Sequence, residues 1–466
     1  VFRASGPTSG GVIKVKLGAT KAGRIVAAEC EVLLQAGAFP GAPIGPACMT
    51  PFAMYDLSDV TISGYDVVSN RPKVAAYRAP GAPISTFGTE SAVDELARKL
   101  GMDPLELRLI NAAKNGTKAA YGPTLKDIGY IETLEAAKSS SHWTSSLGEA
   151  PKGKRRGRGI ASGFWFNIGG ESSGATYVNE DGTVTVVSGN PDIGGSRASM
   201  AMMAAEVLGI EMAKVRPIVG DTASVGYSFL TGGSRVTFAT GMAVTQAAEQ
   251  ARDELCKRAA LLWEIPVDAV EWRDGMAHPA GDNAGKFEPM SLAEIAAKSA
   301  RTGGPITGKA SINAQGAGPG YATHICDVEV DEETGHVQVL RYTAIQDVGK
   351  AIHPAYVEGQ LQGGAVQGIG WALNEEYIYN AKGLLDNPGF LDYRIPVASD
   401  LPMIETILVE VPNPRHPFGA KGVGEAPIVP PMATIANAIE SAIGLRMPNL
   451  PMSPPRIRAA LDAAQG

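Results

Sequence analysis

Phe418-Gly419-Ala420-Lys421-Gly422-Val423-Gly424-Glu425-Ala426-Pro427 runs toward an apolar helical pattern between Met432 and Ile443. Three glycines between Gly419 and Gly424 let the backbone approach a ligand closely and turn amide N–H groups toward an anion. The carboxylate at the tip, Glu425, is either a solvated turn residue or a base held against something bound in the glycine cradle.

The same arrangement recurs along the chain. Tyr77-Arg78-Ala79-Pro80-Gly81-Ala82-Pro83 precedes a helical pattern from Ser85, and Gly194-Gly195-Ser196-Arg197 one from Ser199. Gly232-Gly233-Ser234-Arg235 precedes one from Ala239, and Gly359-Gln360-Leu361-Gln362-Gly363-Gly364 one from Val366. With the Glu425 loop this predicts five glycine-bearing loops, each ahead of a helix. Helix N-termini carry unpaired N–H groups and partial positive charge, so several converging on one point would bind a polyanion. The serine and arginine beside the glycines add donors suited to phosphate. None has P-loop spacing, and none is a G-x-G-x-x-G between a strand and a helix, which disfavours nucleotide kinases and Rossmann dehydrogenases.

Around these loops, strands and helices occur in blocks rather than as regular βαβ units, and the predicted class is α+β. Val12–Leu17 and Ile25–Leu34 read as a hairpin across the Lys21-Ala22-Gly23 turn, followed by a strand-rich passage from Val60 to Tyr77. Ser85 to Leu100 is helical, and Asp103-Pro104 starts another helix, with Asp103 as its N-cap. Residues 139–158 are polar, include the densest basic patch at Lys152–Arg158, and read as a solvated linker. Strands at Gly159–Phe166, Ala175–Asn179 and Thr183–Ser188 follow, then a helix from Ala239 to Trp263 and a hairpin turning at Glu333-Thr334-Gly335.

At 466 residues the chain is too long for one ordinary domain, and its 19% charged content is globular rather than disordered. A net charge of −7 and the lack of a long basic run argue against nucleic acid. No apolar run is long enough to span a membrane, and no signal peptide is evident. The four cysteines are far apart, without CxxC, which disfavours an iron–sulfur cluster or structural zinc and suits a reducing, cytoplasmic setting. His324 and His353 lack a second ligand at metal spacing, and Cys326 reads as a small buried strand residue.

Taken in order, five motifs resemble the molybdopterin-binding large subunit of the xanthine oxidase/aldehyde oxidoreductase family. They are Ala76–Gly81, Pro191–Gly195, Thr231–Ser234, Gly359-Gln360 through Gln367-Gly368, and Lys421–Glu425, and they cover nearly the whole chain. The resemblance implies two mixed α/β subdomains, residues 1–145, incomplete at the N-terminus, and 146–466, carrying the Gly-Val-Gly-Glu loop. It implies a molybdenum–molybdopterin cofactor in a cytosine dinucleotide form, with the metal held through the pterin dithiolene and by no side chain. Glu425 matches the family's general base, which deprotonates the molybdenum-bound hydroxide. Arg78, Ile193, Gly194, Gly195, Thr231, Gly233, Ser234, Gln360 and Gly424 match cofactor-contact positions, and Pro80 matches the substrate pocket, as does Phe164, for which core packing is an equal reading.

The implied activity is hydroxylation of an aldehyde or N-heteroaromatic carbon with water as oxygen source. Electrons would pass to a 2Fe-2S subunit and an FAD subunit, because this chain has no electron carrier of its own. Reductive relatives such as the hydroxybenzoyl-CoA reductases, or a cofactor-free scaffold, are the alternatives. Ala79 stands where CO dehydrogenases carry a cysteine, which disfavours CO oxidation. Pro80 replaces an aromatic and Pro46 a substrate-orienting arginine of xanthine-type enzymes, and Gly195 replaces a common glutamine. The family's Phe-Gly-Gly loop does not occur. The expectation is a fragment or split subunit, inactive without an N-terminal molybdopterin-binding segment or partner subunits.

Overall fold

The computed structural model describes residues 2, 3 and 5–465. The expected hairpin is present: β1 (Gly11–Ala19) pairs antiparallel with β2 (Ile25–Gly37), and β3 (Val60–Val68) adds parallel to β2. Cys30, Val32, Leu34 and Ala36 alternate along β2 and are all buried, as a period of two requires of a half-covered sheet. Helix α1 (Ala82–Leu100) packs against β1, and α2 (Pro104–Asn111) follows it. Asp103 caps α2 as expected, its carboxylate accepting the Leu105 and Glu106 N–H groups at 2.8 and 3.0 Å. Beyond Val68 the expected strand passage is irregular, since Pro72 cannot donate to a ladder.

A helix α3 (Tyr130–Ser139) leads to the larger part of the chain. There β4 (Lys154–Trp165), β5 (Gly170–Val178), β6 (Val184–Ser188), α4 (Ser196–Leu208), β7 (Val215–Val219) and α5 (Gly241–Trp263) come first. Then follow β8 (Ile306–Ala314), β9 (Gly320–Asp331), β10 (Val337–Asp347), α6 (Pro354–Leu373), β11 (Ile404–Val409) and α7 (Pro431–Ile443). Two four-stranded mixed sheets result, in orders β11-β10-β9-β4 and β8-β5-β6-β7. Helices α6 and α7 bury the first, and α4 and α5 the second. Gly157 and Gly159 make the α7 contact possible: a Cβ on either would stand 2.3 Å from helix backbone. The architecture is α+β.

Two expectations need correction. The polar stretch 139–158 is not a free linker. Ser141–Thr144 is a helical turn, and β4 already begins at Lys154. Its charges are paired across the sheet: Arg158 donates twice to Asp327 at 2.7 and 2.8 Å, and Lys154 and Arg156 each reach Glu329 at 2.9 Å. Opposed charges on neighbouring strands made the basic run a strand. Likewise, Gly359–Gly364 is not a loop but the interior of α6, which starts at Pro354. Two glycines of this helix, Gly364 and Gly368, serve packing: a Cβ there would collide with Pro427 at 2.7 Å or Pro431 at 2.6 Å. The five expected loops are therefore four, with a helix flank as the fifth wall.

The smaller and larger parts meet at a fully buried carboxylate. Glu90 on α1 accepts from Arg108 Nε at 2.8 Å, from the Tyr55 hydroxyl, and from the Ser162 N–H of β4 at 2.6 Å. Asn437 of α7 donates to Ile160 O at 2.9 Å beside it. Helix α3 likewise packs on β9 and β10. Arg108→Met leaves the Glu90 charge buried without its cation, and unfolding free energy should fall by about 3–5 kcal/mol. Denaturant titration with circular dichroism checks this; a loss below about 1 kcal/mol would show the pair to be dispensable.

Candidate functional site

A cavity of about 760 Å³ opens between the two parts of the chain. Arg78 and Pro80 come from the loop ahead of α1, Ile193 and Gly194 from the loop ahead of α4, and Thr231, Gly233 and Ser234 from the loop ahead of α5. Gln360 looks in from α6, and Gly424 and Glu425 from the last glycine loop. Ten of the twelve residues singled out from sequence thus line one space. Gly195, one residue behind this wall, caps α4 at φ +82°, and a Cβ there would stand 2.4 Å from the Tyr356 ring.

Phe164 is the exception, and the expectation for it is corrected. Its ring is fully buried against Tyr121 and Tyr321, with centroids at 5.7 and 5.2 Å. Strand alternation turns it into the core of the smaller part. Trp165 and Phe166, stacked at 4.3 Å where β4 ends, line the cavity instead, with Pro46 and Ile168. Trp165 is the last residue of β4 and faces opposite to Phe164, and Phe166 lies just past the strand end, ahead of Asn167 at φ +42°.

The centre of the site is a clamp on Glu425. Its Oε1 accepts the Ala79 N–H at 3.1 Å, and its Oε2 accepts the Ser234 hydroxyl at 3.1 Å. The same hydroxyl oxygen accepts the Glu425 N–H at 3.0 Å, so one serine orients both the backbone and the side chain of the acid. Ser234 holds φ +59°, an uncommon conformation for a residue with a side chain, which here serves the clamp. Asn167 Nδ2 donates to Gly422 O at 2.9 Å, and a Cβ on Gly422 would lie 2.2 Å from Ser234 O. Only glycine lets the two loops touch.

Arg78 lies beside the clamp. Its Nε donates to Gly424 O, its Nη1 to Gln367 Oε1 at 3.0 Å, and its Nη2 to Gln360 O at 3.0 Å and Gln360 Oε1 at 3.3 Å. Burial lowers its pKa to about 10, opposed by the Glu425 charge. Burial likewise raises the Glu425 pKa above the usual 4.5, against the pull of the Ala79 N–H, the Ser234 hydroxyl and Arg78. The carboxylate is therefore a stronger base than a solvated one, and its ionised form is lost as pH falls through a value above 4.5.

The remaining wall suits an anionic, donor-hungry group. The Trp165 indole N–H, shielded from water and without a partner at normal hydrogen-bond geometry, lies near enough to Glu425 to hold its pKa down, and His353 Nδ1 is likewise shielded and unpartnered; both residues line the cavity. Arg235 is fully buried and gives its N–H groups to Gly169 O, Phe229 O, Glu171 O and Ser172 Oγ, all uncharged acceptors. A buried guanidinium without a paired carboxylate leaves positive potential beside the glycine loops. No group of three His, Cys, Asp or Glu among the described residues could hold a metal ion directly. The site fits a large anionic cofactor. His324 is elsewhere, a fully buried strand residue bonded through Nδ1 to the Tyr342 hydroxyl at 2.8 Å.

Comparison with known proteins agrees with this geometry. Residues 135–402 and 1–112 match the profiles of two families, each described as a molybdopterin cofactor-binding domain. The chain is 32% identical over 461 residues to a putative xanthine dehydrogenase molybdenum-binding subunit of Escherichia coli, covering 95% of this chain and 61% of that one. It is 30% identical over 468 residues to the aldehyde oxidoreductase of Megalodesulfovibrio gigas, covering 97% and 49%. The crystal structure of quinoline 2-oxidoreductase from Pseudomonas putida 86 superposes with a TM-score of 0.87 at 25% identity, covering 99% of this chain and 63% of the other. The chain thus spans less than two thirds of the length of the relatives it matches.

Ser234→Ala removes a donor to the charged carboxylate, so the Glu425 pKa should rise further. Infrared titration of the carboxyl band, with Glu425→Gln as the blank, reads the shift; an unmoved or lowered midpoint would show that the hydroxyl does not stabilise the anion.

Proposed function

The chain belongs to the molybdopterin cofactor-binding domains of the xanthine dehydrogenase/aldehyde oxidoreductase family, and from that premise we propose that it forms most of the catalytic site of a molybdenum hydroxylase. One observation carries this reading: a carboxylate of raised basicity, clamped by an N–H and a hydroxyl at the wall of a cavity built from glycine loops. The substrate class is an aldehyde or an electron-poor carbon of an N-heteroaromatic ring. Relatives named for xanthine, quinoline and aldehydes support that range, as do the apolar side chains of Pro46, Pro80, Trp165 and Phe166 on the cavity wall.

When bound, the molybdenum–pterin group supplies the two-electron redox chemistry that side chains cannot. This chain's residues do the rest. The amides around Gly194 and Gly233, with Thr231 and Gln360, would hold the pterin and its phosphate, and the buried Arg235 charge would favour the anion. Arg78 is spent mostly on Gly424 and Gln360, so it reaches the cofactor side by fixing those two residues. Glu425 takes the proton from the water-derived nucleophile. With one N–H and one O–H donor on its two oxygens, it keeps a lone pair free on each. Its burial keeps bulk water from competing for that role.

The finer assignments rest on the same family reading. They are a cytosine dinucleotide form of the pterin, delivery of electrons to 2Fe-2S and FAD subunits, a cytoplasmic setting, and a further molybdopterin-binding segment completing the site. A subdomain division near residue 145 belongs with them. Among the described residues no helix is long and apolar enough to cross a membrane.

Two variants test the proposal in the enzyme purified with its partner subunits. Glu425→Gln should keep its molybdenum and pterin while kcat falls by roughly 10²–10⁴-fold, the usual worth of a positioned base. Normal turnover would remove Glu425 from that role. Arg78→Ala should lower molybdenum and pterin retention, measured by elemental analysis and pterin release; full loading would place the contact elsewhere.

A further inference from the structure

We propose that the buried Lys421–Asp347 ion pair is the positioning device that sets where Glu425 stands, an inference that rests on reading Glu425 as the base. Both side chains are shut off from water, with Nζ and Oδ2 2.6 Å apart. The ammonium also donates to Asp127 O, and the carboxylate accepts the Gly129 N–H at 2.9 Å and the Gly349 N–H at 3.1 Å. Residues 127–129, the end of β10, the bend after it and the foot of the Glu425 loop are thereby joined at one point. Backbone pairing reinforces the joint: Gly349 bridges Ala420, and Lys350 N–H donates to Gly419 O at 2.8 Å. There is no slack, since a Cβ on Gly129 would stand 2.9 Å from the Asp347 carboxylate and 2.8 Å from Val411.

The ion pair is at the foot of the segment 421–425, and the base is at its tip. The foot is tied to residues 127–129, and the tip to Arg78, the Ala79 N–H and the Ser234 hydroxyl. The tip's contacts are hydrogen bonds that line a cavity, one from the Ala79 N–H, one from Arg78 and two with the Ser234 hydroxyl, and they orient the carboxylate without balancing a second buried charge. The foot is the firmer attachment, because separating a buried ion pair leaves a charge uncompensated. A purely stabilising pair could be exchanged for neutral groups of similar volume at little cost to folding. A positioning pair could not be exchanged without letting the tip drift, and that difference is measurable.

The test uses the enzyme purified with its partner subunits, carrying Lys421→Met, Asp347→Asn, both together, Lys421→Arg, or Glu425→Gln as the control. Molybdenum content, melting temperature, amide hydrogen exchange across 419–426, kcat and KM are measured. The double variant should melt near the wild type and keep its metal, yet exchange faster over 419–426 than over β9. Its kcat should fall by roughly a hundredfold at a KM within about twofold, as misplacement of an oriented group by about 1 Å produces. Wild-type exchange and wild-type kcat in the double variant would overturn the proposal. Should that variant fail to fold, Lys421→Arg keeps the charge and alters the reach, and unchanged exchange and kcat there would overturn it equally. Normal turnover in Glu425→Gln would sink the base reading, while the exchange data would still judge the latch.

Discussion

Glu90 has no water within reach, and that constraint organises the molecule. A carboxylate buried this completely survives only if every lone pair is met and its charge is balanced. Arg108 and Tyr55 meet it from the smaller part, and the Ser162 N–H from the edge of the larger sheet. The two parts therefore cannot drift without uncovering an ion. Because the cavity lies between them, with Arg78 and Pro80 on one side and Thr231, Gln360 and Glu425 on the other, the shape of the site follows from that joint.

The glycines gain their meaning from the same closeness. Those at 157 and 159 let α7 lie directly on β4, and those at 364 and 368 let the segment just after Glu425 press into α6. Gly422 admits the Ser234 carbonyl. Each contact removes a side chain so that two backbones can share a space, and together they deliver the Glu425 loop to Ser234 and Ala79. Much of the glycine excess that suggests ligand cradles from sequence serves packing, while Gly194 and Gly233 face the cavity itself.

Electrostatically the site is assembled from imbalances. Glu425 is buried beside an arginine engaged mainly with carbonyls and glutamines, and Arg235 is buried with none but neutral acceptors. The first raises the proton affinity of Glu425, and the second favours an anion. Both arise from withholding water rather than from unusual residue types, and burial is the leading cause of the shifts at Glu425, Arg78 and Arg235 alike.

The sequence by itself determined the α+β class, the capped helix at Asp103, the hairpin of Val12–Leu17 with Ile25–Leu34, and four of the five expected glycine loops, those that line the cavity. Glycine spacing, N-cap chemistry and period-two alternation are local, and they act before any distant partner is chosen. Three matters were decided only in three dimensions. The basic run at Lys154–Arg158 became a strand because Asp327 and Glu329 came opposite it. Phe164 went into the core, while Trp165 on the opposite face of β4 and Phe166 just past the strand end line the cavity. Ser234 and Ala79 became the partners of Glu425 from 191 and 346 residues away. No local signal encodes a contact across such separations, since it exists only once two packed surfaces have excluded water between them.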